Sequence, residues 1–307
     1  MGSSENTRES KRLPKVSAIV PCFNRGQFIG QTIESILAQT YPNIEIVVID
    51  DGCTDGSREI LETFAARGVL KVLEHPGREN RGQSAGINLG LANTTGDYVG
   101  ILDSDDLWLP EKVDEQVIFL ETHPEIGLVY GNGEAIDSKG RHLYAIYRQG
   151  HHESNHPERV LLDCYFFVPT NSLVRRTVFN KTGGFDESLR ASQDHDMAIR
   201  IAEAAKLAYV DRKWFRYRRH DASISRNNAN LRWVNGFTIL EKASQRFPYA
   251  KATLRKRRGV LHFRLGQCHI ESRQWLRAGA HMLQAFWCDP LRAFRVVLGG
   301  ERVSSPH

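Results

Sequence analysis

Two carboxylates one residue apart, Asp103 and Asp105, sit in the run Asp103-Ser104-Asp105-Asp106 directly after the apolar stretch Tyr98 to Leu102. At the end of a strand they can converge on one divalent cation. Magnesium and manganese take oxygen ligands and keep open positions for phosphate oxygens. Such an ion would neutralise a departing diphosphate. The plainer reading is an acidic turn that caps the next helix, and D-x-D alone is common by chance. A calcium-binding EF-hand does not fit, because Trp108 stands at its sixth position, where Gly is needed.

Three further groups could share that site. Asp51, in Asp50-Asp51-Gly52, ends another apolar run. A carboxylate there can accept hydrogen bonds from a base N–H or from ribose hydroxyls, and Thr54 and Asp55 beyond it suit helix capping. Asp194, in Gln193-Asp194-His195-Asp196, falls near the start of a helical stretch. It could take a proton from a hydroxyl, or it could be an acidic residue favoured by the helix dipole, a role that suits Asp196 better. His220 closes the basic and aromatic run through Arg218-Arg219. With its arginines it could hold phosphate oxygens, or it could complete a metal shell.

These residues need a frame. Val16 to Pro21, Ile44 to Ile49, Leu70 to Leu73 and Tyr98 to Leu102 are short apolar runs that predict buried strands. Phe28 to Gln39, Thr54 to Arg67 and Gln83 to Ala92 predict helices between them. The alternation predicts an α/β fold, a mostly parallel sheet flanked by helices, with ligands beyond the carboxyl ends of the strands. Gly82, Gly86 and Gly90, every fourth residue, predict close helix packing. Ile126 to Tyr130 predicts another strand. Residues 131–190 mix short apolar runs with Gly and Asn turns. Ala191 to Ala205 reads as a helix, Leu207 to Val210 and Trp214 to Tyr217 as late strands. After about Asn230 only helices are expected, over Arg257 to Gln267, Gln274 to Trp287 and Pro290 to Leu298. The organisation is thus a leader over 1–15, a catalytic domain over 16–228 and a C-terminal helical extension over 229–307, packed against it.

The 307 residues are 41% apolar and 25% charged, as in a soluble globular protein, and contain no apolar run long enough for a membrane helix. The net charge of +5 conceals an asymmetry. From Asp211 onward 20 Lys and Arg face 6 Asp and Glu; the preceding residues hold 21 against 30. The acidic front suits a metal with phosphates. The basic back suits an anionic surface, such as lipid headgroups at the inner face of a membrane, a charged glycan or nucleic acid, or is simply a solvated basic face. Five cysteines, an odd number with no C-x-x-C pair, argue against a disulfide framework and fit a reducing cytoplasm. Dinucleotide, P-loop and G-x-S-x-G motifs are missing.

Six strings, in order, resemble glycosyltransferase family 2: V-S-A-I-V-P-C-F-N-R from Val16, the stretch from Glu34 through D-D-G-C-T-D-G-S, N-R-G-Q-S-A-G-I-N-L-G from Asn80, G-D-Y-V-G-I-L-D-S-D-D-L-W-L-P-E-K from Gly96, G-G-F-D-E-S-L from Gly183 and S-Q-D-H-D-M-A-I-R from Ser192. The resemblance implies a GT-A fold and an inverting transfer of sugar from a nucleotide diphosphate, a UDP-sugar favoured, with Mg2+ or Mn2+. It implies that Pro21, Phe23 and Asn24 line the nucleotide pocket with Ser104, that Asp51 contacts base or ribose, and that Arg81 lies near the donor. Asp105 would bind the metal, Asp103 the ribose, sugar or metal, and His220 the metal or diphosphate. Asp194 matches the catalytic base. Cys22, Cys53 and Phe23 replace commoner residues, and Gln193 stands where many members have Glu. The acceptor would be a glycan or a lipid-linked glycan; no nucleic-acid partner is expected. The rivals are a catalytically silent nucleotide-sugar-binding module whose helical tail is an interaction platform, and nucleotidyl transfer, in which Gln193-Asp194-His195-Asp196 would have no task.

Overall fold

All seven residues of β1 (Val16–Cys22) are buried, as in a strand covered on both faces. In the computed structural model, which describes residues 12–163, 165, 166, 168–220 and 229–292, β1 pairs in parallel with β2 (Ile44–Asp50) and β4 (Tyr98–Ile101), and β3 (Lys71–Glu74) adds in parallel outside β2. Side chains alternate between the two faces. Ala18, Val20, Ile46 and Val48 join one core cluster with Ile29 and Ile33 of α1 (Ile29–Leu37) and Leu61 of α2 (Ser57–Ala66). Ile19, Val47, Ile49, Val99 and Ile101 join another with Ile87 of α3 (Gln83–Ala92). A Cβ on Gly90 would meet Ile19 at 2.5 Å, so α3 lies close on the sheet as the glycine spacing predicts. Gly82 is different: it has φ +87° and forms the turn before α3.

Past β4 the sheet becomes mixed. Its order continues through β8 (Ser172–Arg175), β6 (Ile126–Asp137), β9 (Lys206–Arg219) and β5 (Leu107–Trp108), with β7 (His142–Ala145) beside β6. β6 and β9 are parallel, while β8 is antiparallel to both its neighbours and β5 is antiparallel to β9. The two late strands expected from sequence are one, β9, and β6 continues seven residues past Tyr130. Four helices, α4 (Lys112–Thr122), α5 (Pro157–Leu162), α6 (Arg176–Thr182) and α7 (Gln193–Ala204), complete this part. Thr54 does not cap α2, whose N-cap is Gly56; Asp55, one residue before it, accepts from Ser57 N at 3.1 Å and Ser57 Oγ at 2.6 Å.

Three helices follow, α8 (Ala229–Arg246), α9 (Lys251–Glu271) and α10 (Trp275–Cys288). Trp233, Leu240, Leu261 and Leu265 of α8 and α9 belong to the same core cluster as Ile19. α10 packs on α9 across Gly259 and Gly266, where a Cβ would meet Cys288 at 3.1 Å and Met282 at 2.8 Å. Most of the leader, residues 221–228 and the predicted helix beyond Arg292 lie outside the described residues. Among the described residues no helix is long and apolar enough to cross a membrane.

Candidate active site

The loop after β4 is held from below. Thr32 of α1 donates its hydroxyl to the carbonyls of Ser104 (3.1 Å) and Asp106 (2.9 Å). Asp106 is fully buried and accepts from Arg218 N (2.7 Å) and Thr170 Oγ1 (2.8 Å). The buried Arg218 guanidinium donates to Asp105 O (2.9 Å) and Gln31 Oε1 (2.8 Å) and lies over the Phe28 ring. Asp106 and Arg218 are therefore internal fasteners whose buried polar groups are satisfied. The Arg218 guanidinium is thus engaged inside the protein, and Arg219 donates to Tyr144 Oη (2.8 Å).

On this support Asp103 lies close enough to Asp105 and Asp194 to feel the charge of both. Asp105 Oδ2 accepts from Arg25 Nε at 2.9 Å and lies 2.9 Å from His220 Nε2. Burial would raise the Asp105 carboxyl, but His220 and Arg25 together hold it below its ordinary value. Asp103 Oδ1 accepts from Gln83 Nε2 at 2.7 Å. Burial, and then the charges of Asp105 and Asp194, push the Asp103 pKa up to about 7. Asp194 lies in the first turn of α7 and makes no hydrogen bond or ion pair among the described residues. Its neighbour Gln193 donates to Gln83 Oε1 at 2.6 Å, so two glutamines tie α7 and α3 together beside Asp103. In the sequence Arg25 shows only as a basic residue after the first strand.

Two of these residues, Asp105 and His220, are spaced as neighbouring ligands of a divalent ion would be. Cis ligands of an octahedral ion at about 2.1 Å lie about 3 Å apart, and Asp105 Oδ2 and His220 Nε2 are separated by 2.9 Å. The raised Asp103 pKa marks negative charge that a cation would relieve. Among the described residues no three His, Cys, Asp or Glu form a complete cage. Magnesium in particular is commonly held by one or two carboxylates plus phosphates and water.

The remaining predicted residues lie at the ends of β1 and β2 and before α3. Pro21 is buried beneath α3. Phe23 is 44% exposed, an open aromatic face. Asn24 adopts φ +51° and its Oδ1 accepts from Thr54 N at 2.8 Å, joining the β1 and β2 loops. Both oxygens of buried Asp51 accept backbone N–H groups, from Arg81 (2.8 Å) and Gly82 (2.9 Å), and so hold the turn into α3. The Arg81 side chain is half-exposed, 4.0 Å from Glu187. Ser104 is buried within its loop.

A parallel half-sheet with loops at its carboxyl ends, an acidic strand end and an acidic helix start together define a GT-A-type glycosyltransferase. The family model for glycosyl transferase family 2 matches residues 17–183. The chain belongs to that family. It is 29% identical over 231 residues to the glycosyltransferase GlyG of Streptococcus pneumoniae, covering 71% of this chain and 75% of GlyG. Some relatives are much longer, and the match spans only 29% of one of them. Among solved structures, Staphylococcus aureus TarS 1–349 in complex with UDP-GlcNAc superposes with TM-score 0.66 at 18% identity, covering 88% of this chain and 81% of that one. The mannosyltransferase PcManGT of Pyrobaculum calidifontis, in complex with GDP-Man and Mn2+, gives 0.60 at 21% identity over 94% and 80%. At these identities the structural likeness establishes the fold.

Proposed function

We infer that this glycosyltransferase moves a sugar from a nucleotide-diphosphate donor, a UDP-sugar, to a hydroxyl of a glycan or glycolipid with inversion at the anomeric carbon. The observation that carries the reading is the contrast among the three carboxylates. Asp103 and Asp105 are engaged by Gln83, Arg25 and His220, whereas Asp194 has no partner among the described residues. A carboxylate left free in this way can accept a proton.

Asp194 takes the acceptor proton as the hydroxyl oxygen attacks the anomeric carbon from the face opposite the diphosphate. The bond from that carbon to the diphosphate oxygen breaks in the same displacement. Magnesium or manganese at Asp105, with Asp103 or His220 as a further ligand and phosphate oxygens and water completing its shell, would supply charge neutralisation of the leaving group. Arg25 is the nearby cation. Phe23 offers its ring to the base, and the turn latched by Asp51 sets Arg81 beside the donor. The complexes of TarS with UDP-GlcNAc and of PcManGT with GDP-Man and Mn2+ support both donor class and ion. The basic helical extension would meet the anionic inner face of a membrane, placing the enzyme at that surface in the cytoplasm.

Asp194→Asn tests the reading. Transfer from the nucleotide sugar is abolished while manganese-dependent donor binding, followed by calorimetry, is retained. Turnover near that of the unmodified enzyme would remove Asp194 from the role of base.

A further inference from the structure

α10 wears its apolar residues on the wrong side for a helix of a soluble domain. Its inward face is small, with Ala278 and Ala285 buried against α9. On the opposite side Leu276, Leu283 and Trp287 form one stripe at i, i+7 and i+11, and they are 92%, 72% and 85% exposed. Trp275 and Phe286 flank the stripe at 65% and 52% exposure. Exposed apolar residues scattered singly need no explanation, but a contiguous stripe of this size marks a contact surface.

The charge of this helix pair selects the occupant. Residues 251–292 contain nine Lys and Arg against two acids, and Lys251, Arg255, Lys256, Arg258, Arg273 and Arg277 are exposed. A second copy pairing through the same face would set a net +7 against +7 and gain nothing from charge. A bilayer carrying anionic headgroups matches both features. Tryptophan and leucine enter the headgroup–acyl boundary, and arginine and lysine pair with the headgroups. Charge alone predicts attraction to an anionic surface; the exposed stripe adds an anchor that goes into it.

We propose that the outward face of α10, built on Leu276, Leu283 and Trp287, is an in-plane docking face for an anionic lipid bilayer. It extends the surface contact suggested for the basic helical extension and is independent of the transfer chemistry, because vesicle binding is read without donor or acceptor.

The test is flotation of the full chain with vesicles of phosphatidylcholine mixed with phosphatidylglycerol, against pure phosphatidylcholine. The protein floats with the mixed vesicles only, and tryptophan emission shifts to the blue. Trp275 and Trp287 are the exposed reporters, whereas Trp108, Trp214 and Trp233 are buried. The triple variant L276S/L283S/W287S loses binding roughly tenfold or more with its circular dichroism unchanged. Leu276→Glu alone tests the stripe if the triple variant folds poorly. R273Q/R277Q weakens binding and flattens its salt dependence. Any of four results overturns the proposal: no flotation with mixed vesicles; flotation indifferent to the stripe variants; a dimer that the triple variant makes monomeric; or flotation gained only after deleting residues 293–307. Transfer to a soluble acceptor is unaffected by these variants, so a failure here leaves the catalytic reading standing.

Discussion

The carboxyl ends of the parallel strands and the outer helix pair α9–α10 treat charge in opposite ways. At the strand ends, acids are drawn inward and tied: Asp51 to two backbone amides, Asp105 to Arg25 and His220, Asp106 to Thr170 and the Arg218 backbone. At the outer helices, bases point outward and the large apolar side chains point outward with them. The first arrangement concentrates negative field in a rigid recess, as binding a cation and phosphates requires. The second leaves a surface whose chemistry is complete only against another surface. The difference teaches that burial, and not composition, separates the proposed reaction centre from the proposed contact face in this chain.

Four measurements can break or sharpen that contrast. The largest effect belongs to Asp105→Ala, which weakens manganese-dependent donor binding by about a hundredfold or more; an unchanged donor titration with manganese would remove Asp105 from the site. Next, Asp51→Ala leaves the Arg81 and Gly82 amides unpaired and lowers stability in urea by about 1–3 kcal/mol. A smaller effect is pH-dependent. Buried His195, beside Asp194, donates from Nε2 to Val160 O (2.8 Å) and accepts from Arg257 at Nδ1 (3.3 Å). Burial and then the Arg257 charge push its pKa down to about 3. Unfolded histidine takes up its proton near pH 6.5, so between about 6.5 and about 3 the unfolded chain binds a proton that the folded one refuses. Stability is therefore full above that window and falls as pH drops through it. Urea midpoints at about pH 7.5 and about pH 5 show the loss, and His195→Gln reduces it. The smallest effect is at Leu276: Leu276→Ser changes stability by about 0.5 kcal/mol or less, since its side chain buries almost nothing.

Much of the fold was legible because β1, β2 and β4 are short apolar runs bounded by polar turns, and α1 to α3 keep helical spacing between them. The second half was harder for a steric reason. Gly131-Asn132-Gly133 has the composition of a turn, yet it continues β6: a Cβ on Gly131 would lie 2.2 Å from the Trp214 ring, and one on Gly133 2.4 Å from the Phe215 ring. The glycines are room for aromatic side chains from β9, a partner distant in sequence. In the site, the acidic motifs were visible as strings, and their setting was not. Asp103, Asp105 and Asp194 were each marked, while the tie of Asp105 to Arg25 and the Gln83–Gln193 bridge require two distant segments to meet. Arg218 looked like a phosphate ligand because charge is visible in sequence and burial is not. All of α10 but its last residue was legible as a helix; that its apolar side faces out depends on Ala278, Ala285 and the two glycines of α9.

The clasp between Arg257 and His195 has a practical consequence for anyone trimming this chain. The family model ends at residue 183, and the recognisable motifs end with Arg219 and His220, so a fragment stopping at residue 228 would pass for a whole enzyme. It would lack Arg257, and it would lack the Ala250 amide and Thr253 hydroxyl that grip Glu158 at 3.0 and 2.9 Å. The helix bearing Asp194 would then stand without its counterweight, and poor turnover by such a truncation would report a missing brace and say nothing about the chemistry.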